Sequence, residues 1–329
     1  MKRRDFIGII GSAAVASPFA LRAQTSGRVP LVALSFNSGA ADPYNKDRAE
    51  DIKGQLTQLG WVEGRNIRYE LFFADGNANL AQANAQRILA AAPDVILTST
   101  TLPTVAIQAA ATKVPVVFVY VTDPVLGGFV ASLAHPGGNM TGFTPFEYQI
   151  AGKWLQLLHQ IAPDITRVAM LGDPANHNFL GFWSAIENIA AKENIVPIKA
   201  PVENAGDIER HLRALASQGN GGLVISAAQF STIHRELIFR LAAELKLPAI
   251  YWSRFFADTG GLVSYGPNAA TLYRQSATYV DRILRGEKPE NLPVQAPTAF
   301  EMVINLKTAN ALGLAIPPLV LARADEVIE

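Results

Sequence analysis

Residues 98–101 read Thr-Ser-Thr-Thr and stand just before Pro103, where a helix begins. Hydroxyls and free amides at a helix start can grip a carboxylate, or they can cap the helix and do nothing more. Asp123, in "TDPVLGG", can take a ligand ammonium or cap the turn that follows it. Ser35, Phe36 and Asn37 end another apolar run, as do the residues from Ala227 to Gln229, Tyr251-Trp252 and Ser264-Tyr265 further along. Trp252 can stack on a planar ligand or pack in the core, and Tyr265 ends its run in the same way. Asn176 and His177 close the loop "DPANHN", where a lone histidine can hydrogen-bond a ligand without doing chemistry. All of this chemistry is binding. The chain has no Gly-x-Ser-x-Gly, no His-Glu-x-x-His and no metal-spaced cluster, and its five histidines do not share a helical register.

The glycine pair in "HPGGNMTGF", 135–143, tests a different chemistry. A dinucleotide fingerprint needs Gly-x-Gly-x-x-Gly between strand and helix, and a phosphate loop needs Lys-Ser/Thr after its last glycine. Gly137, Gly138 and Gly142 satisfy neither spacing. The segment reads instead as a turn: a helix over 125–134 stopped by Pro136, then a short strand "MTGF" that carries the chain from one half of the protein into the other.

The elements that must position these residues follow from periodicity. "VPLVALSF", "NIRYELFFA", "DVILTS" and "VPVVFVYV" read as strands, separated by helical patterns over 44–59, 78–92 and 103–113. Near-continuous Val/Ile/Leu runs mean strands covered on both faces, hence parallel sheets. After the glycine pair the rhythm restarts: helix over 148–162, "RVAMLGD", helix over 179–194, "VPIKAPV", helix over 207–217, "GLVISA", helix over 232–246, "LPAIYWS" and "GLVSYG". Two βα arrays in succession make two lobes, and the candidate residues fall at carboxyl ends of strands, where open parallel sheets bind ligands.

Composition limits the function classes. The 329 residues are 49% hydrophobic with 28 basic and 28 acidic side chains, so no basic surplus suggests nucleic acid. The absence of cysteine excludes disulfides, thiol nucleophiles and Cys-ligated zinc. The first 23 residues, with Arg3-Arg4 before a weakly apolar run broken by Gly8, Gly11 and Pro18, read as a cleavable export signal. The arginine pair resembles a twin-arginine signal, with an ordinary Sec signal as the alternative. Cleavage near Ala23 leaves 24 basic and 27 acidic side chains, and no later run has transmembrane length.

Five blocks carry a family resemblance: "LGWVEGRNI" at 59–67, "TDPVLGGFVASLAHPGGNMTGF" at 122–143, "GGLVSYG" at 260–266, "YVDRILRGEKPENLPV" at 279–294 and "FEMVINLKTANALGLAIPPLVLARADEVIE" at 300–329. In this order they resemble the substrate-binding proteins of ABC importers, the TrpX-like family in particular, over essentially the whole mature chain. The resemblance implies a type I periplasmic binding protein fold: two Rossmann-like α/β lobes with parallel sheets, joined by a three-crossing hinge. Lobe one would hold 29–143 with about 268–293, and lobe two 144–267 with about 294–329. It further implies a periplasmic monomer that closes on a small molecule, with no cofactor, and delivers it to the permease and ATPase subunits of a membrane importer. One departure stands out. "DPANHN" occupies the place of an Asn-Pro-x-Asn-Pro-like turn, with His177 where the second proline would be, which puts the usual ligand in question. A ligand-sensing subunit of a signalling system and a secreted hydrolase are the alternatives from other classes.

Overall fold

A computed structural model describes residues 28–145, 147–174 and 177–329, without the side chains of His177 and Gln229. The export signal over 1–23 and Asn176 lie outside the described residues. The first array is β1 (Leu31–Phe36), α1 (Pro43–Gln58), β2 (Arg68–Phe73), α2 (Ala78–Ala90), β3 (Val95–Ser99), α3 (Thr101–Ala109), β4 (Val116–Val119) and β5 (Met140–Phe143). Its five strands are parallel in the order β2-β1-β3-β4-β5. β1, β3, β4 and β5 are buried along their whole length, as their unbroken apolar runs require, whereas the edge strand β2 is largely exposed.

The second array is α4 (Ile150–Ile161), β6 (Arg167–Gly172), α5 (His177–Ala190), β7 (Val196–Pro201), α6 (Ala205–Ser217), β8 (Gly221–Ile225), α7 (Gln229–Ile233), α8 (Arg235–Glu244), β9 (Ala249–Tyr251), α9 (Arg254–Asp258) and β10 (Val263–Pro267). The chain then returns to the first lobe as α10 (Ala269–Leu284). It finishes in the second lobe with β11 (Phe300–Asn305), α11 (Leu306–Leu312), α12 (Pro318–Leu321) and β12 (Glu326–Ile328). The seven strands run β12-β11-β10-β9-β8-β6-β7. This sheet is not purely parallel, because β10 and β11 pair antiparallel with Pro267 opposite Phe300. The reason is connectivity: the chain leaves β10 at the hinge and re-enters β11 beside the same point, so β11 must run back.

Three crossings join the lobes, after Phe143, after Pro267 and before Phe300. The first and third are stitched together, with Thr144 N–H donating to Gln295 O and Gln295 N–H to Gly142 O, both at 2.9 Å. Gly142 is obligatory there, since a Cβ would stand 1.9 Å from the Phe118 carbonyl oxygen on β4. Gly266, at the second crossing, is crowded alike, with a Cβ position 1.9 Å from the Trp252 carbonyl oxygen.

α10 belongs to the first lobe by packing. Leu272, Tyr273, Ala277 and Val280 are buried with Ile52 and Leu56 of α1 and the β1, β3 and β4 core. Trp61 Nε1 donates to Asp281 at 2.7 Å, and Arg274 pairs with Asp51 at 2.8 Å.

Two expectations fail locally. Residues 125–134 form turns, not a helix. Gly128 adopts φ 68°, its N–H bonds Val125 O, and Phe129 N–H reaches back to Pro124 O, which is the left-handed termination that ends a helix after a single turn. The helix expected over 232–246 is instead α7 and α8, broken at His234, which leaves helical geometry at φ −101°, ψ 20°.

Candidate ligand-binding cleft

The loops after β1, β3 and β4 face the loop after β9 and the short helices α7 and α9 across a cleft of about 170 Å³. That is the scale of a cavity that admits one benzene-sized ring (~150 Å³). Lobe one supplies Asn37, Asp42, Tyr44, Asp75, Ser99, Thr100 and Tyr120; lobe two supplies Thr232, Ile233, Trp252, Ser253 and Phe255. Tyr44, Tyr120, Trp252 and Phe255 give the walls four rings, and rings meet across the lobes. Tyr44 and Phe255 have centroids 6.1 Å apart at 67°, and Tyr120 and Trp252 lie 6.2 Å apart at 57°.

Beneath them lies Tyr273 of α10. It stacks on Tyr120 at 5.9 Å, its hydroxyl is 2.5 Å from Ser99 Oγ, and its ring meets Tyr44 edge-on at 6.5 Å. Burial pushes the Tyr44, Tyr120 and Tyr273 hydroxyls above the ordinary phenol range, so all three stay protonated at neutral pH, although the Arg48 guanidinium pulls the other way. Arg48 lies 4.8 Å over the Tyr44 ring and is paired with Asp51.

Backbone strain concentrates in the same wall. Thr100 sits at φ 74°, ψ 176° and Tyr120 at φ 64°, regions where a β-branched or aromatic residue is costly. Two buried polar atoms here have no hydrogen-bond partner: Asn37 Oδ1 and Thr100 Oγ1. An arrangement that holds strained backbone and unsatisfied polar atoms around a small aromatic chamber can enclose a small molecule and complete those hydrogen bonds with it.

Of the residues singled out in the sequence, Asn37, Ser99, Thr100 and Trp252 line the cleft. Ser35 and Phe36 are buried in β1, Phe36 stacked on Phe73 at 5.9 Å, because the strand runs one residue further than the cleft edge. Thr98 is fully buried and shares a hydrogen bond with Thr104 at 2.7 Å, while Thr101 opens α3 outside the lining. Asp123 accepts from Leu126 N–H and from the Tyr148 hydroxyl, at 2.9 and 3.0 Å. Tyr265 is stacked on Phe300 at 5.7 Å and lines a separate groove beside the hinge with Glu147, Lys153 and Pro297. His177 and Gln229 open α5 and α7. Sequence reasoning missed Asp42, Tyr44, Asp75, Tyr120 and Phe255. The Asp42-Pro43 helix start was a usable signal for the first two, since Asp42 caps α1.

A sequence model of the family described as ABC transporter substrate binding protein matches residues 43–328. This chain belongs to that family. A curated relative of the substrate-binding protein, the "Tyrosine-binding protein" of Clostridioides difficile (strain R20291), is 22% identical over 259 residues, 79% of this chain and 74% of that one. Among solved structures, a conserved domain protein from Vibrio cholerae is 26% identical with a TM-score of 0.83, covering 91% of this chain and all of its own. An ABC domain in complex with L-Trp from Streptococcus pneumonia has 20% identity and a TM-score of 0.83, covering 92% of this chain and all of its own. The substrate-binding protein thus has the two α/β lobes of type I periplasmic binding proteins. None of its described helices is long and apolar enough to cross a membrane.

Proposed function

We propose that this substrate-binding protein is exported to the periplasm by its N-terminal signal, by the twin-arginine route, and there works as a monomer without turnover. It captures a small organic solute, an amino acid, aromatic acid or similar carboxylate, and hands it to the permease and ATPase of an ABC importer. The observation that carries the reading is the chamber between the lobes, where rings from both sides meet around two unsatisfied buried polar atoms. The names of the relatives, one tyrosine-binding and one holding L-Trp, favour an aromatic body for the solute. The lobes are taken as 29–143 with about 268–293 and 144–267 with about 294–329, and the packing of α10 on α1 supports the return of the chain to the first lobe.

Ligand touching both walls favours the closed form, because only that form lets both sets of residues reach it. A thermal-shift screen over amino acids, aromatic acids and other small carboxylates tests the reading. A ligand at 100 times its dissociation constant adds about 2.7 kcal/mol of stability. A flat response across the panel would remove it.

A further inference from the structure

A groove of about 270 Å³ lies at the hinge and shares no lining residue with the cleft. All three crossings contribute to it: Gln149 and Ile150 follow the first, Tyr265 comes just before the second, and Ala296, Pro297 and Phe300 belong to the third. Its floor is set by strand register. In the antiparallel pair β10–β11, Tyr265 is opposite Met302 and Pro267 opposite Phe300, so Tyr265 and Phe300 stand diagonally on one face and their rings stack at 5.7 Å and 23°. Both rings stay partly exposed, which leaves a flat apolar floor open to solvent.

Two charges flank that floor. Lys153 stands in the first turn of α4, where the helix dipole adds to its pull on an anion, and Glu147 precedes the same helix. Neither side chain has an ion-pair partner among the described residues, and they do not pair with each other. The charged residues beside the cleft differ in this respect: Arg48 is paired with Asp51, and Arg235 with Glu236.

A half-exposed aromatic floor gains from a flat apolar body laid against it, and a cation and an anion left apart gain from one molecule that carries both charges. The groove exceeds the ~150 Å³ that a single benzene ring fills, which leaves room for a ring with a charged end. We infer that the hinge groove is a second small-molecule site and that it takes a zwitterionic aromatic amino acid. The ring lies against Tyr265 and Phe300, the carboxylate accepts from Lys153 Nζ, and the ammonium donates to Glu147. The assignment goes beyond the reading of the cleft and does not depend on which solute the cleft takes.

Fluorine NMR on the mature protein tests it, with L-fluorotryptophan as the probe and with its amine-only and acid-only analogues, fluorotryptamine and fluoroindoleacetate. Two bound resonances should appear with the amino acid. Trp252→Ala should weaken the cleft resonance about 30-fold and leave the groove resonance unchanged. Lys153→Gln and Glu147→Gln, two solvent-facing changes, should each weaken the groove resonance about fivefold, the scale of an exposed ion pair, without moving the cleft resonance. Each analogue should bind the groove about fivefold more weakly than the amino acid, since each lacks one of the two charges. A single bound resonance that Trp252→Ala weakens, or a second one indifferent to both groove variants, would overturn the site. Analogues that match the amino acid at the groove would overturn the zwitterion. A resonance that answers only to Lys153 and Glu147 would uphold the groove and count against the cleft as the site for this solute, whereas no bound resonance at all would overturn the groove and leave the cleft to the other solutes of the thermal-shift panel.

Discussion

The two walls of the cleft are built differently. Lobe one presents the ends of fully buried strands, with the chain bent into left-handed geometry at Thr100 and Tyr120, Ser99 Oγ tied to Tyr273 of α10 and the Tyr120 hydroxyl to Pro267 O. Lobe two presents Ile233 and Phe255 from five-residue helices with no side-chain caps, and Trp252 from the end of a three-residue strand. A strained but heavily cross-braced wall holds its shape before ligand arrives, whereas short uncapped helices can shift to meet it. Lobe one therefore sets which polar groups a solute must match, and lobe two adapts to the size of its apolar body.

The hinge glycines give the sharpest test of that contrast. Gly142→Ala should cost about 3 kcal/mol or more in urea unfolding, because its Cβ meets a carbonyl in the braced lobe, 1.9 Å away. Gly266→Ala meets an equal clash beside the short strand β9 and should cost less, about 1–2 kcal/mol. Equal losses would mean the lobes are equally stiff.

Trp252→Ala comes next. It removes a ring packed against the cores of both lobes, and calorimetry with an aromatic ligand should show a loss of about 2 kcal/mol in binding, the scale of a central aromatic anchor. Thr100→Gly should act oppositely on the two properties. Relief of the φ 74° backbone should raise stability by about 1 kcal/mol while affinity falls, and a variant that is neither more stable nor weaker in binding would show that the strain has no role in the site. The smallest effect belongs to Ile233→Ala. Its side chain is 60% exposed, so melting should move by no more than about 0.5 kcal/mol equivalent, with affinity changed only for the bulkiest solutes.

The fold was legible where burial is two-sided, since strands such as Val95–Ser99 and Val116–Val119 write their environment as unbroken apolar runs. It was illegible where one backbone angle decides the outcome. The stretch 125–134 has a helical pattern, yet Gly128 ends it after one turn. The antiparallel β11 was hidden as well, because its direction depends on where a chain returning from another lobe re-enters. In the site, Ser99, Thr100 and Trp252 stood at strand ends and could be found by rule. Tyr44, Tyr120 and Phe255 could not, as they are 76 to 211 positions apart along the chain and only the packing of two lobes makes them neighbours.

The return of α10 to the first lobe also sets an order of events during synthesis. The floor residue Tyr273, the Trp61–Asp281 hydrogen bond across 220 positions and the Arg274–Asp51 pair across 223 all wait for sequence translated after the body of the second lobe. A nascent chain stopped before residue 268 would carry a second sheet still lacking β11 and β12 beside a first lobe with Ile52, Leu56 and Val119 uncovered. Such contacts close late and slowly. The lobe that is encoded first thus stays open until α10 emerges, and any factor that guards the unfinished chain has that face to hold.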